Sequence, residues 1–163
     1  MIVKLTKKEI SNILNVINDA AIKYKGVISN ECWHEPYMSE QELVNEFNDG
    51  VHMFGYNQNN KLLGVMGIQE LTEVTLIRHA YTLTNYQGQG IGKTLLNYLF
   101  NINKNSCLLV GTWRDAIWAI EFYEKFGFYL HEKKQTVQLL KKYWNIPLKQ
   151  IDNSVVLEKN KLK

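Results

Sequence analysis

Gln87-Gly88-Gln89-Gly90-Ile91-Gly92, a Q-x-x-G-x-G run, lies between the strand-like segment VTLIRHAYTL and the helix-like segment KTLLNYLFNI. Glycines at 88, 90 and 92 remove the Cβ atoms that would hold the backbone away from an anion. The helix after the loop offers the unpaired N–H groups of its first turn. The spacing therefore predicts a cradle for a pyrophosphate. Each charge-assisted hydrogen bond there is worth roughly 1.5–3 kcal/mol, and the helix dipole adds about 0.3–1 kcal/mol. A phosphate can be held on those terms without a metal and without a Walker-type Lys-Ser/Thr pair.

Two other readings compete for this loop. A dinucleotide fingerprint needs G-x-G-x-x-G and an acidic residue about 20 residues further on. Here the third glycine comes one residue early, and no Asp or Glu occurs between the loop and Cys107. A purely structural glycine turn is the second alternative, and the loop in isolation does not exclude it.

On either side of the loop, Glu73 to Leu83 supplies the strand before it, and Ile91, Leu95, Leu99 and Ile102 form an apolar stripe on the helix after it. VHMFGYN and KLLGVMGIQEL flank a Gln58-Asn59-Asn60 turn and predict a hairpin, so three strands make an antiparallel meander. Upstream, Thr6 with Glu9 and Ser39 with Glu42 read as capping boxes opening two helices, the first stopping at Gly26 and the second running through Phe47. Downstream, Cys107 to Thr112 reads as a buried parallel strand. Asp115 is placed to cap a helix that Gly127 ends, a further helix spans Gln135 to Trp144, and a last strand lies around Ser154 to Leu157.

A chain of 163 residues, 45% apolar and 21% charged, suits one globular domain over residues 1–163. Its net charge of +3 is spread among interspersed signs, which supports no nucleic-acid surface and mildly suits an anionic ligand. Cys32 and Cys107 make no disulfide framework and no metal-ligand spacing. With no charged-then-apolar leader and no apolar run of about 18 residues, the expected setting is cytoplasmic and away from membranes.

A second motif lies about thirty residues after the loop, in Ala119-Ile120-Glu121-Phe122-Tyr123-Glu124-Lys125-Phe126-Gly127-Phe128. Together the two motifs resemble the GNAT family of N-acetyltransferases. In that family a Q/R-x-x-G-x-G/A loop wraps the pyrophosphate of acetyl-CoA, and an A-x-x-x-Y-x-x-x-G-F helix packs beside the pantetheine arm. The resemblance implies an α+β fold in three α/β/α layers, around a central mixed, mostly antiparallel sheet splayed at the cofactor site. It implies acetyl-CoA as cofactor, bound by Gln87, Gly88, Gln89, Gly90, Ile91, Gly92 and Lys93. The backbone of Ala80, Tyr81 and Thr82 would face pantetheine, unless these are ordinary strand residues.

The implied reaction is direct acetyl transfer to a small-molecule or peptide amine in a ternary complex, with Tyr123 as general acid for the departing thiolate. A phenol with a reference pKa of about 10 suits that role, although Tyr123 among Phe122, Phe126 and Phe128 also reads as a core aromatic. An alkylammonium of pKa about 10.4 must lose a proton before it attacks, which costs roughly 4.6 kcal/mol at pH 7. Where many relatives carry a glutamate this chain has Leu76 and Gly111, and Ala116 replaces a frequent asparagine. The base is thus unassigned, and an acyl-CoA-binding module without turnover is the alternative function. The resemblance places the acceptor pocket in the loop with Trp33, His34, Glu35 and Tyr37, and adds Trp113. Arg78, a cation in an apolar strand, needs an acidic partner or a wet pocket, where it would hold a substrate carboxylate. His79 lies beside it, as a packing residue or a substitute base. Some relatives form homodimers through a C-terminal strand, which the resemblance leaves open here.

Overall fold

The computed structural model describes residues 1–161, which divide into two compact units. The first comprises Met1–Lys23 and His34–Asn105, and the second Tyr24–Trp33 and the chain from Ser106 on.

In the first unit β1 (Ile2–Leu5), β2 (His52–Gln58), β3 (Lys61–Glu70) and β4 (Thr75–Thr82) form an antiparallel meander in chain order. Asn59 and Asn60, at φ 50° and 60°, make the two-residue turn between β2 and β3. Asparagine tolerates the left-handed region that such a hairpin turn requires, so this turn comes from local chemistry. Six successive residues of β3, Leu63 to Ile68, are buried. Side chains alternate across a strand, so both faces of β3 are covered. The covering helices are α1 (Ile10–Ala21) and α3 (Ile91–Ile102), and α2 (Glu40–Asn48) packs on α1.

Both capping boxes are present. Thr6 and Glu9 close theirs around a single 3-10 turn, with α1 starting one residue later, and Ser39 and Glu42 open α2. The first helix stops at Ala21, ahead of Gly26, because the chain tightens into a 3-10 turn at Ile22–Tyr24. The ladder between β3 and β4 is interrupted once. Gly67 stands opposite Arg78 and Val65 opposite Tyr81, so His79 and Ala80 together oppose Met66 alone. This is a β-bulge, and His79 within it has φ +53°. Gly64 of β3 lies directly under α3, where an added Cβ would stand 2.6 Å from Ile91 Cγ2.

In the second unit β5 (Cys107–Trp113) pairs antiparallel with β7 (Ser154–Asn160), which pairs antiparallel with β6 (Tyr129–Leu130). Helices α4 (Ile117–Lys125), α5 (Lys133–Tyr143) and α6 (Leu148–Asp152) connect them, and α5 packs on β7. Asp115 does not cap α4. The N-cap is Ala116, with no side-chain cap, and the Asp115 carboxylate lies 3.9 Å from Arg114. Gly127 ends the helix as expected, at φ +85°. Cys107 is half-buried, and its thiol donates to Glu158 at 3.4 Å. The other oxygen of Glu158 accepts from His131 Nε2 at 2.6 Å.

Candidate functional site

The glycine loop is exposed from Gln87 to Gly90. Gly88 and Gly90 adopt φ +77° and +82°, and a Cβ at either would meet nothing within 4 Å. Glycine is needed here for backbone conformation, and the space a side chain would take is open to a ligand. Gly90 is the N-cap of α3, and no side chain caps that helix. The first intrahelical bond runs from Thr94 N–H to the Gly90 carbonyl at 2.9 Å, so the N–H groups of Ile91, Gly92 and Lys93 precede the helical ladder. Free first-turn N–H groups with the helix dipole behind them are the physical requirement for binding an anion.

Side chains brace this loop from the protein side. Gln87 Nε2 donates to the Thr82 carbonyl at 3.1 Å, and Gln89 Nε2 to the Asn85 carbonyl at 3.4 Å. The Thr84 N–H donates to Asp19 Oδ2 of α1 at 2.7 Å. Both glutamines thus turn back onto the preceding chain and hold the loop's shape, whereas Lys93 projects from the first turn of α3 into solvent. Tyr81 and Thr82 keep register with Val65 and Gly64, and Ala80, inside the bulge, does not.

Arg78 finds its acid. Its guanidinium reaches Glu46 of α2 at 2.8 Å and donates to Gln69 Oε1 at 3.0 Å. His79 Nε2 meets the same Glu46 oxygen at 2.8 Å. Burial alone would raise the Glu46 carboxyl, but hydrogen bonds and charge from His79 and Arg78 outweigh it and hold the group below its usual value. Sequence reasoning misses Glu46, because it sits on a polar helix with no motif around it. The signal that points to it is Arg78, a cation in an apolar strand that must be paired.

Of the expected acceptor-loop residues, His34 and Tyr37 stack with ring centroids 6.2 Å apart, and Tyr37 meets Tyr81 edge-on at 6.3 Å. The loop is therefore anchored on β4, with His34 and Glu35 exposed. Trp33 and Trp113 belong to the second unit, where Trp113 is buried at 7% exposure. Tyr123, also in the second unit, is buried on α4 with its ring edge-on to Phe122 at 5.1 Å and Phe128 at 5.4 Å. Burial pushes its phenol above the ordinary value, so its hydroxyl is kept protonated. Among the described residues no three His, Cys, Asp or Glu side chains are grouped to hold a metal, and no helix is long and apolar enough to cross a membrane.

A family model for an acetyltransferase (GNAT) domain matches residues 14–141. The chain belongs to the GNAT acetyltransferase family. Known GNAT structures share its fold. PaiA N-acetyltransferase from Thermoplasma acidophilum, solved in complex with coenzyme A, has a TM-score of 0.75 at 21% identity, over 99% of this chain and 98% of that one. The ribosomal-protein-S18-alanine N-acetyltransferase of Escherichia coli gives 0.70 at 16% identity, over 98% and 92%. A GNAT acetyltransferase from Elizabethkingia anophelis with acetyl-CoA bound gives 0.57 at 20% identity, over 74% and 82%. The α+β acyltransferase fold expected from the two motifs is the fold of this GNAT chain.

At Leu76, Gly111 and Ala116, where the family resemblance leads to an expectation of glutamate or asparagine, the space is filled by packing. Leu76 and Ala116 are fully buried. At Gly111, an added Cβ would lie 3.5 Å from the Trp144 indole and 3.6 Å from Leu140, so the end of α5 occupies the space a side chain there would enter. None of the three supplies a proton acceptor.

Proposed function

We propose that this GNAT protein moves the acetyl group of acetyl-CoA directly to a primary amine in a ternary complex. The observation that carries the reading is the uncapped N-terminus of α3, with Gly88 and Gly90 holding positive φ over open space. Those residues fit a pyrophosphate, with Ile91, Gly92 and Lys93 offering N–H groups and the Gln87 and Gln89 side chains bracing the turn. Bound acetyl-CoA supplies the activated acyl group. Tyr123 is the general acid in this reading: burial keeps its phenol protonated, and proton transfer from this weakened acid is driven by the charge that builds on the departing thiolate in the same dry surroundings. The loop with His34, Glu35 and Tyr37, anchored on Tyr81, contributes to acceptor recognition, with Trp33 and Trp113 as further contributors. A cytoplasmic enzyme acting on a small-molecule or peptide amine fits the composition.

A second reading has its own observation. Leu76 and Gly111 leave the usual carboxylate positions without a base, which suits an acyl-CoA-binding module that does not turn over. Thiol release from acetyl-CoA, measured across primary amines, amino acids, aminoglycosides and peptides against an acceptor-free control, separates the two. Amine-dependent release supports the transferase. Protection of the fold by acetyl-CoA with no release from any acceptor favours the binding module, and no protection at all rejects both.

A further inference from the structure

The Glu46, Arg78 and His79 cluster takes no part in the phosphate cradle or in the role of Tyr123, yet its geometry is that of an oriented imidazole. Glu46 is an ionised acceptor, so the 2.8 Å contact requires His79 to carry its proton on Nε2. The lone pair of the neutral ring then resides on Nδ1, which has no hydrogen-bond partner among the described residues. Arg78 fixes the carboxylate in turn, because its guanidinium is spread between Glu46 and Gln69. The backbone adds a second constraint. His79 occupies a left-handed conformation at a bulge, beside Ala80, Tyr81 and Thr82, and strain of this kind persists where neighbours over-determine it and often marks a working site.

We infer that His79 is the proton acceptor for the incoming ammonium, with Glu46 as the residue that positions it and Arg78 as the clamp on Glu46. The inference rests on the acetyl-transfer reading above and supplies the base that Leu76 and Gly111 cannot. The ammonium gives one proton to His79 Nδ1, which passes it to solvent. The freed nitrogen lone pair forms the N–C bond to the acetyl carbon, and the C–S bond breaks with its electron pair leaving on sulfur. The second nitrogen proton is lost and sulfur gains one, so one proton is released per amide formed. The elements packed on β4 and the helix that reaches His79 carry these charges, Glu40 and Glu42 of α2 among them. Glu46 of α2 is in contact, Arg78 is adjacent, Asp19 of α1 is engaged by Thr84, Lys61 and Glu70 stand at the two ends of β3, and Lys93 is the one charge on α3.

His79→Gly is the informative variant, because glycine adopts φ +53° without strain and leaves a cavity for a small base. Wild type, His79→Gly and Glu46→Gln are compared for kcat/KM against pH, for acetyl-CoA affinity and for rescue by added imidazole. The expected result is a wild-type acid limb within about pH 5–8, lost in His79→Gly together with about 10²- to 10⁴-fold of kcat/KM near neutrality. Imidazole restores part of that rate, acetyl-CoA affinity is unchanged, and Glu46→Gln moves the limb to lower pH because the imidazolium loses its counter-charge. Full activity with an intact acid limb in His79→Gly overturns the assignment. So does a loss that imidazole does not rescue while acetyl-CoA still binds. A wild-type protein inert toward every amine removes the acetyl-transfer reading itself, and the assignment falls with it.

Discussion

Gly64 lies outside every motif, yet its packing against Ile91 sets the height of the first turn of α3, the turn proposed to hold the pyrophosphate. A Cβ added there would stand 2.6 Å from Ile91 Cγ2, and 3.3 Å from both the Tyr81 carbonyl oxygen and Thr82 Oγ1. Non-bonded carbons rest at about 3.5–4.0 Å, so Gly64→Ala demands roughly 1 Å of movement between β3 and the first turn of α3. Overpacking of this kind costs roughly 1–3 kcal/mol, which for a chain of this size lowers Tm by about 2–12 °C. A first-turn N–H displaced by about 1 Å from a ligand oxygen at about 2.9 Å is out of hydrogen-bond range. Losing one charge-assisted bond, at roughly 1.5–3 kcal/mol, weakens acetyl-CoA binding about tenfold to 150-fold. Ile91→Ala removes the clashing methyl and by itself costs roughly 2–5 kcal/mol of stability. Isothermal titration with acetyl-CoA and thermal unfolding on both single variants and the double variant complete the test. Gly64→Ala with wild-type affinity and Tm, or a double variant that binds no better than Gly64→Ala, would refute the reasoning.

Tyr123→Phe is expected to keep acetyl-CoA affinity and fold while reducing amine-dependent thiol release by on the order of 10²-fold or more; an unchanged rate removes Tyr123 from the chemistry. Glu46 and Glu158 should make the protein acid-sensitive. Burial pulls both upward, but their partners, His79 and Arg78 for Glu46 and His131 first among those of Glu158, hold both below the usual 4.5. The unfolded chain then binds the extra protons, so the stabilisation is complete above the unfolded value and is lost as pH falls below it through the folded values. Denaturant titrations should accordingly show ΔG holding steady down to about pH 5 and dropping beneath it, with a shallower drop in Glu158→Gln. Finally, burial and the adjoining Glu158 push the Cys107 thiol up to about 12. Iodoacetamide at pH 8 should label native Cys107 slowly, and Glu158→Gln should speed the reaction; rapid labelling of the wild type contradicts the observed contact.

What could be read from the sequence was whatever a few neighbouring residues decide among themselves. Thr6 with Glu9, Ser39 with Glu42 and Asn59 with Asn60 each specify a helix start or a turn through bonds spanning three residues or fewer, and all three are present. The glycine loop was legible because glycine accepts the φ values found at 88 and 90 without the strain other residues would bear. β1, β6 and α6 were not legible. Four, two and five residues carry too little periodicity, and the two strands exist because a longer neighbour pairs with them. Asp115 misled because a capping residue one position early is also a good partner for an adjacent arginine. In the site, Arg78 announced that it needed an acid, but which of the chain's carboxylates would answer depended on how α2 lies against β4. The pairing of His79 with the same oxygen depended on a bulge that leaves no trace in residue type.

That bulge divides one strand into two kinds of territory. From Thr75 to Ile77 every residue is buried, and from Arg78 to Thr82 every residue is half-open. Substitutions in the first stretch should be tolerated or rejected according to whether the protein survives, and those in the second according to whether it works. Deletions obey a harsher rule. Removing Ala80 would restore an even one-to-one ladder with β3, Tyr81 still opposite Val65 and Thr82 opposite Gly64, and would take away the extra residue at which His79 adopts its left-handed conformation against Glu46. Along this strand the number of residues, as much as their identity, holds the His79 ring against Glu46.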